Sequence, residues 1–159
     1  MITLGVDPGL DGALCIYDSS AHTADILSTP TVNVVVNKKK KRRLDYAALA
    51  AWLDIRRHGI DMAVIEQVGA GTGQGVTSMF AFGELYGAAR MLMAANAIKT
   101  LLVLPVVWKS RFALLRQGKD ASIAKATELA PHLEHHWPLK KHDGRAEAFL
   151  LAVYGSRMQ

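Results

Sequence analysis

Residues 2–9 read Ile2-Thr3-Leu4-Gly5-Val6-Asp7-Pro8-Gly9, a short and mostly apolar run that meets an acid, a proline and a glycine. The run has the makeup of a buried strand, and Pro8-Gly9 stops it abruptly because proline withholds a ladder donor and glycine accepts turn dihedrals. Asp7 is thereby left at the end of a buried strand. Working outward, Ala13–Tyr17 and Ala24–Ser28 read as two further strands joined by the polar turn Asp18-Ser19-Ser20, a meander of about three strands. Thr31–Asn37 (TVNVVVN) is expected to extend the same sheet.

Farther along, Asp45 is an N-cap for an amphipathic helix with Leu49, Leu53 and Ile55 on its apolar side, stopping at Gly59. Met62–Ile65 (MAVI) is a fully apolar strand that ends at Glu66. The loop Gln67–Gly75 leads into a helical pattern from about Val76 to Asn96, then a strand over Thr100–Leu104. Pro105 opens a short helix with Trp108 and Arg111, Asp120 caps another that ends at Pro131, and Gly144–Tyr154 forms the last. Strands first, then alternating helices and strands, is an α/β pattern with a five-stranded mixed sheet flanked by helices, expected as a single domain over residues 1–159. With the first strand central and the strands at 62–65 and 100–104 parallel to it, Asp7 and Glu66 share one carboxyl edge. Open α/β sheets place their sites there.

Composition agrees with a globular chain: of 159 residues, 50% are hydrophobic and 21% charged, enough to bury a core without disulfides. The one cysteine, Cys15, reads as inert core, and no charged leader precedes Ile2, so the expected home is a reducing cytoplasm, bacterial or that of a host if phage-encoded. Met91–Ala95 and Leu101–Trp108 are too short and too interrupted to span a membrane. The net charge is +5, and removing the six positive charges of Lys38, Lys39, Lys40, Lys41, Arg42 and Arg43 leaves −1. Basicity is local, which fits either a surface aimed at a polyanion or a solvated loop.

Asp7 and Glu66 emerge from buried strands, where an unpartnered charge is costly and some cation is expected to compensate it. In the last helix Asp143 and Glu147 stand four apart on one face. Asp143 can act as an N-cap; Glu147, among Ala146, Ala148 and Phe149, is not explained by capping. Four carboxylates from three elements form an all-oxygen site suited to Mg²⁺, with Mn²⁺ able to substitute. Two such ions roughly 3.5–4 Å apart activate a water and stabilise the leaving oxygen in phosphodiester hydrolysis.

These residues resemble a family. G-V-D-P-G at 5–9, I-E-Q at 65–67 and D-G-R-A-E-A at 143–148 are similar to the RuvC-type Holliday junction resolvases of the ribonuclease H-like superfamily, and the likeness spans almost the whole chain. The final acidic pair is usually three apart in the bacterial enzymes and is four apart here. That spacing, with K-D-A-S-I-A-K-A at Lys119–Ala126 and P-V-V-W-K at Pro105–Lys109, looks closer to phage RuvC-like proteins and the plant chloroplast junction resolvase. The resemblance implies a ribonuclease H-like fold and a homodimeric, Mg²⁺-dependent endonuclease that resolves four-way DNA junctions by paired symmetric nicks. Asp7, Glu66, Asp143 and Glu147 would be its metal-binding catalytic carboxylates. A related nuclease acting on other branched DNA, single strands or RNA is the alternative.

The glycine-rich loop at 69–75 lacks G-x-G-x-x-G and the Gly-Lys-Ser/Thr ending of a Walker loop, so no nucleotide cofactor is expected. A segment that meets a DNA branch suits it better, with Gln67, Gln74, Thr77 and Ser78 as candidate contacts. Phe80 is a candidate stacking side chain, set against burial, the commoner fate of apolar helix residues. Lys140, Lys141 and Arg145 surround the last acids, and Lys109 and Lys119 extend the basic track. His132, His135 and His136 lack the further ligands of a zinc site. In the long helix, Val76, Phe80, Gly83, Gly87 and Met91 form one apolar stripe and Met79, Phe82, Tyr86, Ala89 and Met93 another. A helix covering a sheet needs one, and the second points to a dimer.

Overall fold

The computed structural model describes residues 1–36, 38–67, 69, 75–118 and 120–158, with the side chains of Thr77 and Ser78 left aside. In chain order the elements are β1 (Ile2–Asp7), β2 (Ala13–Asp18), β3 (Thr23–Ser28), β4 (Thr31–Val36), β5 (Lys39–Leu44), α1 (Tyr46–Arg56), β6 (Met62–Glu66), α2 (Val76–Ala95), β7 (Thr100–Val103), α3 (Pro105–Arg111), α4 (Asp120–Leu129) and α5 (Asp143–Ser156). Two short 3₁₀ turns, Pro131–His136 and Lys140–His142, lead from α4 to α5. The main sheet has the order β3-β2-β1-β6-β7, with β1 antiparallel to β2 and parallel to β6. This is the five-stranded mixed sheet flanked by helices that the sequence predicts.

Strand alternation decides what each face meets. Leu4 and Val6 of β1, with Ala63 and Ile65 of β6, pack beneath α1 and α2 in a cluster containing Leu49, Leu53, Leu85, Ala89 and Met93. The opposite face, with Cys15, Tyr17 and Val64, packs against α5 and, beyond it, Trp108, Phe112, Ala126 and Trp137. A helix apolar on all sides has to be covered on all sides. Accordingly α5 is buried without a break from Ala148 to Gly155.

The contact between α5 and β1 has no side chain between the backbones. A Cβ on Gly5 would stand 2.0 Å from the Ala148 carbonyl oxygen and 2.5 Å from the Ala152 nitrogen. One on Gly155 would stand 2.6 Å from Val64 and 2.7 Å from Thr3. Here glycine is required by space and not by dihedral.

Two expectations from sequence are corrected. Thr31–Val36 does not extend the main sheet, because Thr29 bonds back to the Gly12 carbonyl at 3.0 Å and Pro30 turns the chain away. It pairs antiparallel with Lys39–Leu44 in a separate two-stranded ribbon, so most of the basic run is a strand and not a loop. The charges mask a strand because both faces of a free ribbon are wet, while the β-branched partners Val32, Val34, Val35 and Val36 supply the pairing preference. Ile55, placed on the apolar side of α1, is 77% exposed. Asp45 caps α1 as read, its side chain accepting from the Ala48 amide at 2.9 Å.

Gly5→Ala is expected to cost about 3 kcal/mol or more in denaturant unfolding, at or beyond the upper end of core overpacking, because the obstruction is backbone. A wild-type midpoint for this variant would contradict the close seating of α5.

Candidate active site

The parity that fills the core also aims the acids. Thr3, Gly5 and Asp7 share one face of β1, and Val64 and Glu66 share the same face of β6, the face that α5 covers. The register Val6↔Ile65 holds the two strand ends level. From above, α5 contributes Asp143 in its first turn and Glu147 one turn later. Gly144 sits between them against the β1–β2 turn; a Cβ there would lie 2.4 Å from the Asp11 carbonyl oxygen and 3.0 Å from Asp7 Oδ2. All four carboxylates therefore line one cavity of about 490 Å³, with Lys109, Arg42, Asp11 and Phe82 on its walls.

Described side chains hold Glu66 and Glu147. Trp108 Nε1 donates to Glu66 Oε2 at 2.7 Å, wholly buried. Lys109 Nζ donates to Glu147 Oε1 at 2.9 Å, and Ser122 Oγ donates to the same oxygen at 2.8 Å. Burial foremost, then Glu147 and Glu66, push the Asp7 pKa well above the ordinary carboxylate value, with Lys109 opposing and Asp143 adding. Glu66 is raised as well, chiefly by burial, against the Trp108 hydrogen bond that lowers it. Among the described residues Lys109 is a compensating cation of the kind anticipated from sequence, paired with Glu147. Among the described residues no group of three His, Cys, Asp or Glu side chains is yet arranged to hold a metal ion.

Asp143 is the first residue of α5 and not its N-cap, a position taken by His142. Lys109 is committed to Glu147, and Lys140 pairs with Asp120 at 2.8 Å. Arg145 donates to Ser28 Oγ at 2.7 Å and to the His136 carbonyl at 3.0 Å, fastening α5 to the end of β3. Lys141 is exposed beside a second cavity of about 440 Å³ that reaches Asp11, His142 and Asp143. Of the basic run, Arg42 reaches Asp11 and Arg43 reaches Glu84 of α2 at 3.4 Å, while Lys38, Lys39, Lys40 and Lys41 are exposed. Gln67 is exposed directly after Glu66. Gln74 and Lys119 lie outside the described residues, and Thr77 and Ser78 stand in the first turn of α2.

Phe80 is 68% exposed, so the burial expected of an apolar helix residue does not apply to it. Its stripe (Val76, Phe80, Gly83, Gly87, Met91) faces outward, whereas of the other stripe Tyr86, Ala89 and Met93 join the core against the sheet and Phe82 lines the acid cavity. The histidines serve the protein: His132 Nε2 contacts the His22 carbonyl at 2.7 Å and the His135 and His136 rings stack. Sequence reasoning missed three residues. Trp108 is buried in the core, and its ring N–H faces Glu66. Ser122 lay unremarked within K-D-A-S, and Asp11 within the opening turn.

No family model and no curated protein sequence matches the chain. Solved structures do. Thermus thermophilus RuvC in complex with a Holliday junction substrate aligns over 99% of this chain and 96% of its own at a TM-score of 0.58 and 14% identity. A second Thermus thermophilus RuvC structure gives 0.57 and 13% over the same spans. A fowlpox virus Holliday junction resolvase aligns over 98% of this chain and 99% of its own at 0.48 and 18%. The RuvC matches establish a shared fold.

A carboxyl whose folded pKa lies above its unfolded value favours folding below the unfolded pKa, and loses that contribution as pH rises through the folded one. Asp7→Asn is therefore expected to raise the melting temperature of the metal-free protein at pH 7–8, by about 2–4 °C for each kcal/mol gained. Near pH 3.5 the gain should vanish. Thermal melts at the two pH values check this, and equal melting of wild type and variant at pH 8 would contradict it.

Proposed function

We propose that this chain is a structure-selective endonuclease that resolves four-way DNA junctions as a homodimer, using divalent metal ions held by Asp7, Glu66, Asp143 and Glu147. The carrying observation is that four carboxylates from three elements meet in one cavity, beside a strand of consecutive cations. A site built only for stability would not gather four acids in one partly buried cavity. The shared fold with RuvC, a protein solved on a Holliday junction, supports the choice of substrate.

The donor set fits Mg²⁺ or Mn²⁺ in charge and hardness, since each ligand is a carboxylate oxygen, and burial first, then the neighbouring Glu147 and Glu66, disfavours the bare Asp7 charge. Divalent ions bound there supply an activated water and neutralise charge that develops at phosphorus and at the leaving oxygen. The chain's own residues do the rest. Trp108 fixes Glu66 in direction by a buried N–H and opposes the rise that burial imposes on its pKa. Lys109 and Ser122 hold Glu147 until a cation competes for it. In the hydrolysis a water oxygen bonds to phosphorus, the bond to the leaving sugar oxygen breaks, and that oxygen takes a proton.

Dimerisation is drawn from the outward stripe of α2. Val76 is 86% exposed and Met91 66%, and a Cβ on Gly83 or Gly87 would meet nothing within 4 Å. These glycines do not seat α2 on its own sheet, which leaves them free for the backbone of a second copy. A two-fold dimer presents two sites to the two-fold symmetric junction.

Three outcomes are expected. Asp7→Asn and Glu66→Gln should lower junction cleavage by several orders of magnitude while binding stays or tightens, because a carboxylate facing phosphates is removed. Mg²⁺ at about 100 times its Kd should stabilise the wild type by ~2.7 kcal/mol and leave Asp7→Asn unmoved. Retained Mg²⁺-dependent cleavage in Asp7→Asn would defeat the assignment, and a panel of junction, flap, duplex, single-stranded and RNA substrates decides the substrate. Gly87→Leu should keep a wild-type circular dichroism spectrum yet sediment as a monomer that nicks cruciform plasmid on one strand per binding event. A wild type that sediments as a monomer would remove the paired-incision mechanism.

A further inference from the structure

The basic strand has two faces with different destinations. Alternation along β5 sends Lys39, Lys41 and Arg43 to one side and Lys40 and Arg42 to the other. On the first side Arg43 meets Glu84 of α2, and the Tyr46 hydroxyl donates to the same carboxylate at 2.6 Å, so the base of the ribbon is fastened to α2. On the second side Arg42 lines the cavity of the four acids. Its guanidinium pairs with Asp11, in the turn four residues after Asp7.

Arg42 and Lys109 are the cations lining that cavity among the described residues. Lys109 is taken by Glu147, one of the four acids. Among the described residues Arg42 is held by Asp11 alone, and both groups are open to water, with side-chain exposures of 45% and 81%. An ion pair that exposed is worth little. A phosphodiester offers the same guanidinium two oxygens in a matching fork and is the stronger partner once it enters. A phosphate entering a cavity of four carboxylates also needs a cation not already neutralised by them.

We infer that Arg42 grips the phosphate of the strand entering the cavity, and that Asp11 is its placeholder when no DNA is bound. The exposed lysines of the ribbon meet flanking phosphates while Arg43 stays with Glu84, so one consecutive run divides into a residue that positions the reacting group, residues that supply affinity and one that anchors the ribbon. This deepens the nuclease reading and rests on it.

The test is single-turnover and steady-state cleavage of a four-way junction with Mg²⁺, together with junction binding across a salt series. Arg42→Ala should lower kcat on the order of a hundredfold, the scale of losing one preorganised charge donor, and reduce the log-log salt slope by about 0.9. Arg42→Lys should recover part of kcat, because a point charge replaces a fork. Lys41→Ala, from the opposite face, should lose in KM. Asp11→Asn should tighten junction binding about two- to fivefold, the scale of an exposed ion pair, and that gain should disappear when Arg42 is already alanine. Wild-type kcat and slope in Arg42→Ala would overturn the inference, as would an Asp11→Asn gain that survives without Arg42. A wild type that binds junctions but cleaves no substrate would overturn the nuclease reading alone, since slope and double-mutant cycle still test Arg42. One that binds no DNA would overturn both.

Discussion

The seating of α5 on β1 is the contact on which the rest of the molecule depends. Gly5, Gly144 and Gly155 remove the side chains that would otherwise hold a helix and a sheet apart, so α5 touches the strand and the β1–β2 turn directly. The gain is positional. Acids on a helix packed at ordinary distance would stand well away from acids at a strand end, whereas here Gly144 lies against Asp7 itself and carries Asp143 and Glu147 into the same cavity. The contact also explains why α5 is apolar on every side: it fills the space between the sheet and α3 and α4 and has little face left for water.

Charge is the counterweight to that packing. Bringing four carboxylates to the floor of a partly buried cavity raises the pKa of Asp7 and Glu66 and destabilises the ionised protein. The α3 helix offsets part of this through two consecutive residues, Trp108 toward Glu66 and Lys109 toward Glu147, and α4 adds the Ser122 hydroxyl. Successive residues of a short helix opened by Pro105 thus serve neighbouring acids. The remaining negative charge is what a divalent ion would neutralise, so the strain and the proposed chemistry have one origin.

The ribbon β4–β5 shows how alternation distributes a run of like charges. Six consecutive cations would repel one another in any compact arrangement, and an extended strand is the conformation that spaces them farthest while sending neighbours to opposite sides. Glu84 and Tyr46 anchor one side to α2. Since α2 also carries the outward apolar stripe, the ribbon, the proposed dimer helix and the acid cavity are mechanically joined: a second copy held on α2 would orient the cations that border the site.

Strand ends, helix caps and parity were legible from residue order alone. The Asp7 turn, the apolar run before Glu66, the Asp45 cap and the two stripes of α2 each depend on neighbours within a few positions, where periodicity and backbone chemistry act. Glu66 stood out as a candidate because a carboxylate ending an apolar strand has little local explanation, and Glu147 because capping does not account for it, whereas Asp143 reads equally well as a helix cap. What tertiary structure alone decided depends on distant partners. Lys39–Leu44 became a strand because Thr31–Val36 was available to pair with it, and Phe80 stayed in water because α2 met the sheet through its other side. Trp108 became a donor to Glu66 because residues 42 positions apart were folded into contact. Local sequence carries preference and period, but a hydrogen bond or an exposed face across the fold is fixed only when packing chooses which side of each element is covered.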